Sequence, residues 1–162
     1  MKIYRSIATG ALTALLAGVM VVGSAVVRAD DNDHGKKVIF TPLAPPAIGP
    51  YSQAIRVGST VYVSGEVGAD ATGTIVGPSI EQQTDQALEN IDHILRAAGS
   101  RLNDVVATTV YLVNVTDFAN MNARYALAFP NAPPARATIQ VAALPKKGAL
   151  VEISAIAVIP SD

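Results

Sequence analysis

The sequence predicts a single α+β domain with the element order β-β-β-α-β-α-β-β, and three observations lead to this prediction. The chain has 162 residues, a length typical of one domain, and half of them are hydrophobic while 15% are charged. Residues 80–98 carry apolar side chains close to a 3.6-residue period, which indicates an amphipathic helix. Residues 104–113 are apolar on both faces, which is typical of a strand covered from two sides.

The first half of the domain begins with three predicted strands and a proline-rich loop. Residues 38–40 form a short first strand, and residues 41–50 hold four prolines and one glycine, so they form an extended loop. Residues 53–57 and 60–64 then form a hairpin around the turn Gly58-Ser59.

The first helix, residues 80–98, has a signal at each end. Ser79 and Gln82 make a capping box at its start, and Gly99 stands where a left-handed C-cap belongs. The sequence therefore fixes both ends of this helix.

The second half alternates strand and helix before two closing strands. After the strand 104–113, a helix runs over residues 118–129, capped by Thr116 or Asp117 and stopped by Pro130, and strands follow at 137–142 and 151–159. The last strand is also apolar on both faces. Two helices can cover only one face of the sheet, so we expect a second subunit to cover the other.

The N-terminus predicts export. Residues 1–29 combine the positive Lys2 and Arg5, an uncharged apolar stretch and the small-x-small sequence Val27-Arg28-Ala29, the three parts of a cleavable signal peptide. The stretch is also long enough for a retained membrane anchor, which is the alternative. We expect a periplasmic or secreted protein in which residues 30–37 form a flexible polar lead-in and residues 38–162 form the domain.

Charge and cysteine content exclude several functions. Without residues 1–29 the chain keeps nine Lys and Arg against 13 Asp and Glu, a net charge of −4, which is a poor match for nucleic acid. There is no cysteine, so disulfides, a thiol nucleophile and Cys-ligated zinc are excluded.

Two charged residues near the C-terminal strands are candidates for chemistry. Arg136 follows two prolines and leads into a strand, so it could hold a carboxylate with two parallel hydrogen bonds, or form a structural ion pair with Glu152. Glu152 stands in a strand otherwise free of charge. Its apolar neighbours favour a raised pKa suited to proton transfer, although an ion-paired or solvent-facing carboxylate fits the residue type equally well.

Three further polar positions could line a ligand site. Tyr51 follows the stiff Gly49-Pro50, Ser64-Gly65 ends a strand where a ligand could approach the backbone, and Asn122 lies at the edge of the core-facing stripe of the second helix. The sequence contains no phosphate loop, nucleophile elbow or His-x-x-x-His pair, and no metal site is predicted.

Ordered motifs along nearly the whole domain resemble the Rid (YjgF-type) family. They are Pro46-Ala-Ile-Gly-Pro-Tyr-Ser-Gln-Ala, Val63-Ser-Gly, Gln83-Thr with Asn90-Ile, residues 104–112, Phe118-Ala-Asn-Met-Asn, Pro134-Ala-Arg-Ala-Thr, Val141-Ala-Ala-Leu-Pro and Val151-Glu-Ile. The chain is most similar to the RidA branch, because both Arg136 and Glu152 are retained.

The resemblance implies a chorismate-mutase-like fold: one mixed sheet with two helices on one face, assembled as a homotrimer with sites between subunits. It implies a 2-iminobutanoate/2-iminopropanoate deaminase-like hydrolase that converts reactive enamines and imines, of the 2-aminoacrylate and 2-iminopropanoate type, to 2-oxo acids and ammonia. No metal or organic cofactor is implied. Members retaining the site without turnover would be modules that bind or sense small carboxylates, which is the alternative function here.

The resemblance also implies a role for each candidate residue. Arg136 would bind the substrate carboxylate, and Glu152 would position or deprotonate the attacking water. Tyr51, Ser64 and Asn122 would line the cleft, and the backbone at Gly65 and Thr138 would hold the substrate.

Three positions depart from common RidA patterns. Glu66 stands where many members have Gln, which adds a negative charge near an anion site. Thr138 stands where several have Cys, and Ser154 replaces a frequent second Glu.

Overall fold

The computed structural model describes residues 35–161, so the predicted signal peptide (residues 1–29) and residues 30–34 lie outside the described residues. Six strands form one sheet in the order β1-β2-β3-β6-β4-β5, with every neighbouring pair antiparallel except the parallel pair β4–β5. The elements are β1 (Lys36–Ile39), β2 (Ala54–Val57), β3 (Thr60–Val67), α1 (Ile80–Ala97), β4 (Val105–Leu112), α2 (Phe118–Ala128), β5 (Ala135–Gln140) and β6 (Val151–Val158). The predicted element order and the single mixed sheet are confirmed.

Helix α1 begins and ends where the sequence indicated. The Ser79 hydroxyl accepts a hydrogen bond from the backbone N–H of Gln82 at 3.3 Å, and Gly99 follows the helix with φ of 80°. Its apolar face is fully buried against the sheet at Ile91 and Ile94. Burial of this stripe is what holds the helix on the sheet.

Helix α2 begins after Asp117, one of the two predicted caps. Asp117 occupies the N-cap position, but its side chain makes no capping hydrogen bond. The helix is held instead by the buried side chains of Met121 and Tyr125. Among residues 35–161, neither helix is long and apolar enough to cross a membrane.

Two strands begin earlier than predicted. β1 starts at Lys36, which pairs with Val57, so the strand takes in the last two residues of the predicted lead-in. β5 starts at Ala135, because that residue already pairs with Ala107 of β4. Arg136 therefore lies inside a strand rather than just before one, and strand pairing fixes the face from which its side chain projects.

The two faces of the sheet have different environments. Val61, Val110 and Ile153 lie on the face covered by the helices and are fully buried. On the opposite face Tyr62 pairs with Ile156, and these side chains are 50% and 37% exposed. Within residues 35–161 the helices thus cover one face, as predicted, and the opposite, apolar face has no cover.

The proline-rich loop before β2 is held by one buried amide. The Gln53 side chain accepts from the N–H of Thr41 at 2.8 Å and donates to the carbonyl oxygens of Thr41, Ala44 and Pro45 at 3.1, 3.3 and 2.8 Å. A buried amide with this many partners gives the loop a fixed path. That path places Tyr51 at the edge of a pocket.

Candidate functional site

The predicted site residues fall into two separate groups. A pocket of about 430 Å³, here called the acidic pocket, is lined by Tyr51, Ser64, Gly65 and Glu152 together with parts of the proline-rich loop. A second, more open pocket of about 440 Å³, here called the arginine pocket, is lined by Arg136 and Asn122. Thr138 lines neither pocket.

Two hydroxyl groups in the acidic pocket are held by backbone atoms. The Ser64 hydroxyl donates to the carbonyl oxygen of Ser52 at 2.7 Å, and the Tyr51 hydroxyl accepts from the N–H of Ile48 at 3.2 Å. Ser64 therefore has its proton engaged and can offer only lone pairs to a ligand. Among the described residues the Tyr51 hydroxyl donates to no partner, so its proton can be donated to a ligand.

Gly65 makes room for the carboxyl group of Glu152. A Cβ atom on Gly65 would overlap the Glu152 carboxylate, so only glycine lets that side chain lie over the backbone here. The pairing of β3 with β6 is irregular between Val63 and Glu66, which is typical of a bulge beside a functional site. Burial raises the pKa of Glu152 above its ordinary value, as the sequence led us to expect.

Glu66 is a second carboxyl in the same pocket. It is only 6% exposed, and it lies on β3 opposite Ile153, one register position from Glu152. Burial, and then the neighbouring charge of Glu152, raise the pKa of Glu66 to about 8. Near neutral pH this raised pKa favours the protonated form of Glu66, which counters the added negative charge expected from the sequence.

The raised pKa of Glu66 predicts a stability that falls as pH rises. Between its ordinary value of 4.5 and about 8, the folded chain holds a proton that the unfolded chain releases. Each pH unit in this window then costs about 1.4 kcal/mol, and the loss stops once the folded pKa is passed. Urea unfolding of wild type and Glu66→Gln, at one protein concentration from pH 5 to 8, measures the difference. Equal slopes for the two proteins would show that Glu66 ionises freely in the fold.

A cation completes the acidic pocket. Lys146, in the loop before β6, lines the pocket, and its ammonium group lies beside Gly73. Its position in the sequence gives no sign of this role, because a lysine in a Pro-Lys-Lys-Gly loop is usually solvated. The pocket thus holds two carboxyl groups, those of Glu66 and Glu152, and one ammonium group, that of Lys146.

Arg136 lies over aromatic rings rather than against an acid. Its guanidinium carbon is 4.4 Å from the ring centre of Tyr125 and 5.8 Å from that of Phe118. The Tyr125 hydroxyl is hydrogen-bonded to Thr108 at 2.6 Å, which fixes the ring below the guanidinium. Within residues 35–161 the ion pairs join other residues, so the structural ion pair to Glu152 does not form within the described chain.

Thr138 lies on the same strand and the same face as Arg136. Its Oγ1 atom is buried and has no hydrogen-bond partner within the described residues. Thr138 pairs with Val110, whose side chain faces the helices. Its predicted backbone contact with a substrate stays a prediction.

Arg136 and Glu152 project from opposite faces of the sheet. Arg136 pairs with Thr108, which pairs with the buried Ala155 on the helix-covered face. Glu152 pairs with Tyr111. It is an odd number of residues from Ala155 on the same strand, so its side chain points to the open face. Because alternate residues of a strand point to opposite sides, the two side chains cannot meet around one small ligand within a single chain.

A six-stranded mixed sheet with two helices on one face is the fold of the Rid/YjgF class of proteins. The family described as Endoribonuclease L-PSP matches residues 41–159, and the chain belongs to this family.

Individual relatives match over most of their length. A RutC family protein of Pyrococcus horikoshii is 52% identical over 123 residues, which is 75% of this chain and 97% of that protein. The 2-iminobutanoate/2-iminopropanoate deaminase of Mus musculus is 51% identical over 124 residues, covering 76% and 91% of the two chains. The crystal structure of E. coli TdcF with bound serine superposes with a TM-score of 0.73 at 39% identity, covering 76% of this chain and 99% of TdcF.

Proposed function

We propose that this protein hydrolyses reactive imines and enamines of the 2-iminopropanoate and 2-aminoacrylate type to 2-oxo acids and ammonia. The observation that carries this proposal is the Glu152 carboxyl, half-buried over Gly65 in a pocket with Ser64 and Tyr51. The mouse relative named as a deaminase of such imines and the serine in the TdcF structure support a small amino or imino acid as ligand.

The chemistry requires little more than positioning and one base. A protonated imine is already electrophilic, so a water held beside its carbon adds readily once a carboxylate accepts the water proton. Glu152 has the residue type, the burial and the raised pKa for this role. Arg136 has a planar donor fork, held over Tyr125, that can bind the carboxylate group of the same substrate.

The two groups come together in our proposal through assembly of identical subunits. We propose a homotrimer in which the open face of each sheet is covered by neighbouring copies. Two observations support it: the apolar open face around Tyr62 and Ile156, and the separation of Arg136 and Glu152 onto opposite faces. A site formed between subunits would take its arginine from one chain and its glutamate from another.

An assay of the wild-type protein tests this function. An amino-acid oxidase generates 2-iminopropanoate from alanine, and the decay of the imine is timed with and without the protein in place of any downstream enzyme. Acceleration of the decay is the expected result. Calorimetric binding of a 2-oxo acid with no acceleration would favour the alternative, a module that binds small carboxylates without turnover.

We further propose that the protein acts outside the cytoplasm, after removal of residues 1–29. The support is the arrangement of charge, apolar stretch and small residues at positions 1–29 of the sequence. Sequencing the N-terminus of the protein purified from its native host tests this. A mature chain that still begins before Asp30 would contradict cleavage at the predicted site.

A further inference from the structure

The acidic pocket is larger than a three-carbon imino acid requires. Its volume is about 430 Å³, in the range of pockets that hold much larger ligands. The Glu152 carboxyl over Gly65 and the Ser64 hydroxyl form the part of its wall where the proposed reaction takes place. Loops form other parts of the wall: the proline-rich loop, the turn that contains Gly73 and the segment before β6 that holds Lys146. The pocket therefore has room for a substrate side chain that extends towards these loops.

Lys146 brings a positive charge to the loop-lined part of the pocket. Its ammonium nitrogen is 3.9 Å from the position that a Cβ atom on Gly73 would take. The side chain of Lys146 is partly buried, whereas its neighbour Lys147 is exposed. Within residues 35–161 the ion pairs join other residues, so this ammonium group has no carboxylate partner there. A partly buried cation of this kind can bind an anionic group of a ligand.

The acid in the neighbouring turn is held by its own loop. The Asp70 carboxylate accepts hydrogen bonds from the backbone N–H groups of Thr72 and Thr74 at 2.9 and 3.0 Å, and from the Thr72 hydroxyl at 2.6 Å. All three contacts go to one oxygen atom, Oδ1, and they close the turn around Gly73. Asp70 is thus engaged within this turn, and Lys146 is open to an anion that enters the pocket.

We propose that Lys146 is a specificity-determining residue that binds a second carboxylate, carried on the side chain of the substrate. This inference rests on the proposed imine hydrolysis and names a substrate class for it: 2-imino dicarboxylates such as 2-iminosuccinate and 2-iminoglutarate. The reacting groups stay the same. One protonated imine and one water give one 2-oxo dicarboxylate and one ammonium, with Glu152 acting on the water and Arg136 from another chain binding the α-carboxylate.

The remaining wall near the proline-rich loop makes the contact with Lys146 selective. Residues 45–48, which are Pro45, Pro46, Ala47 and Ile48, line the pocket with apolar side chains. An apolar wall excludes water and strengthens the attraction between an ammonium and a carboxylate group. A substrate whose side chain ends in a methyl group gains no such attraction. Lys146 therefore discriminates between substrates that share the same imine and α-carboxylate.

Lys146→Ala tests this role with two substrates of equal length. An aspartate oxidase generates 2-iminosuccinate, and an amino-acid oxidase generates 2-iminobutanoate from 2-aminobutanoate, so the two four-carbon substrates differ in the second carboxylate. We expect kcat/KM for 2-iminosuccinate to fall about tenfold, mainly through a higher KM, and kcat/KM for 2-iminobutanoate to change less than about twofold. Lys146→Arg should keep most of the wild-type preference. Lys147→Ala removes the exposed neighbour and is the matched control.

The kinetic outcomes separate this inference from the function on which it rests. An unchanged rate with 2-iminobutanoate shows that the variant is folded. Equal losses for both substrates, no loss for 2-iminosuccinate, or a wild type that hydrolyses only 2-iminobutanoate would overturn the role of Lys146 and leave imine hydrolysis standing.

A binding measurement tests Lys146 even if the wild type hydrolyses neither imine, in which case the proposed function fails. Calorimetry then compares 2-oxoglutarate with 2-oxopentanoate, two five-carbon 2-oxo acids of which only the first has a second carboxylate. Tighter binding of 2-oxoglutarate that Lys146→Ala abolishes and Lys147→Ala retains is the expected result. Equal binding of the two 2-oxo acids by the wild type would overturn the dicarboxylate site.

Discussion

Arg136→Ala should lower kcat/KM for imine hydrolysis by about 100-fold or more. A loss of this size is expected when a desolvated substrate carboxylate no longer receives two parallel hydrogen bonds from a guanidinium group. The guanidinium is half-buried and positioned 4.4 Å above the Tyr125 ring, so a substrate carboxylate would meet a donor fork that is already oriented. Steady-state kinetics with 2-iminopropanoate measure the loss.

Two variants show whether the loss comes from ligand binding. Arg136→Lys keeps the positive charge but cannot donate two parallel hydrogen bonds to a carboxylate. Its kcat/KM should therefore lie between those of wild type and Arg136→Ala. Arg96→Ala removes an exposed arginine paired with Asp92 and should leave the kinetics unchanged. Loss of the cation over Tyr125 costs about 0.5–1 kcal/mol of stability, too little to unfold the chain. Equal rates for wild type and Arg136→Ala would contradict the assignment.

Glu152→Gln should lower kcat by about 10²- to 10⁴-fold, the usual contribution of a positioned general base. Glutamine fits the same space over Gly65, so KM should change much less than kcat. In the wild type, activity should rise with pH through the pKa of Glu152, which burial has raised, because only the carboxylate accepts the water proton. Rates measured from pH 5 to 9 give both quantities.

Glu152→Gln should also change the pH dependence of stability, which kinetic measurements do not detect. Removing the charge of Glu152 removes one of the two causes that raise the pKa of Glu66. The decline of stability caused by Glu66 should therefore end at a lower pH in Glu152→Gln than in wild type. A variant with wild-type kcat would exclude Glu152 as the base.

The fold was accessible from sequence because local signals and the global pattern agree. Ser79, Gln82 and Gly99 mark the ends of α1, and residues 104–113 showed a strand with two apolar faces. Strand bounds were less accessible. β1 and β5 each begin two residues earlier than predicted, because pairing with a neighbouring strand extends them, and that pairing is not a property of the segment itself.

The residue types of the candidate site could be predicted from the sequence, but their spatial arrangement could not. Arg136 and Glu152 could be named from their settings in the sequence, yet which face each one points from depends on strand register. Glu66 was noticed as an added acid, but its neutral form depends on burial beside Glu152, which only the packed structure provides. Lys146 carried no sequence signal because a surface loop delivers it to the pocket.

We propose that the working site takes Arg136 from one subunit and Glu152 from another. Two features of the described chain support this proposal: these residues lie on opposite faces of the sheet, and a partner copy would cover the open apolar face. If each site were confined to one chain, combining two chains that each lack one of these residues would restore no activity.

Co-expression of Arg136→Ala and Glu152→Gln chains, each with its own affinity tag, tests this claim most directly. Assemblies that carry both tags contain a pairing of an intact Arg136 with an intact Glu152 on neighbouring chains. One of three sites is intact in each mixed trimer, so doubly tagged trimers should have about a third of the wild-type activity, and the unfractionated random mixture about a quarter. Doubly tagged assemblies no more active than either parent would contradict a site shared between subunits.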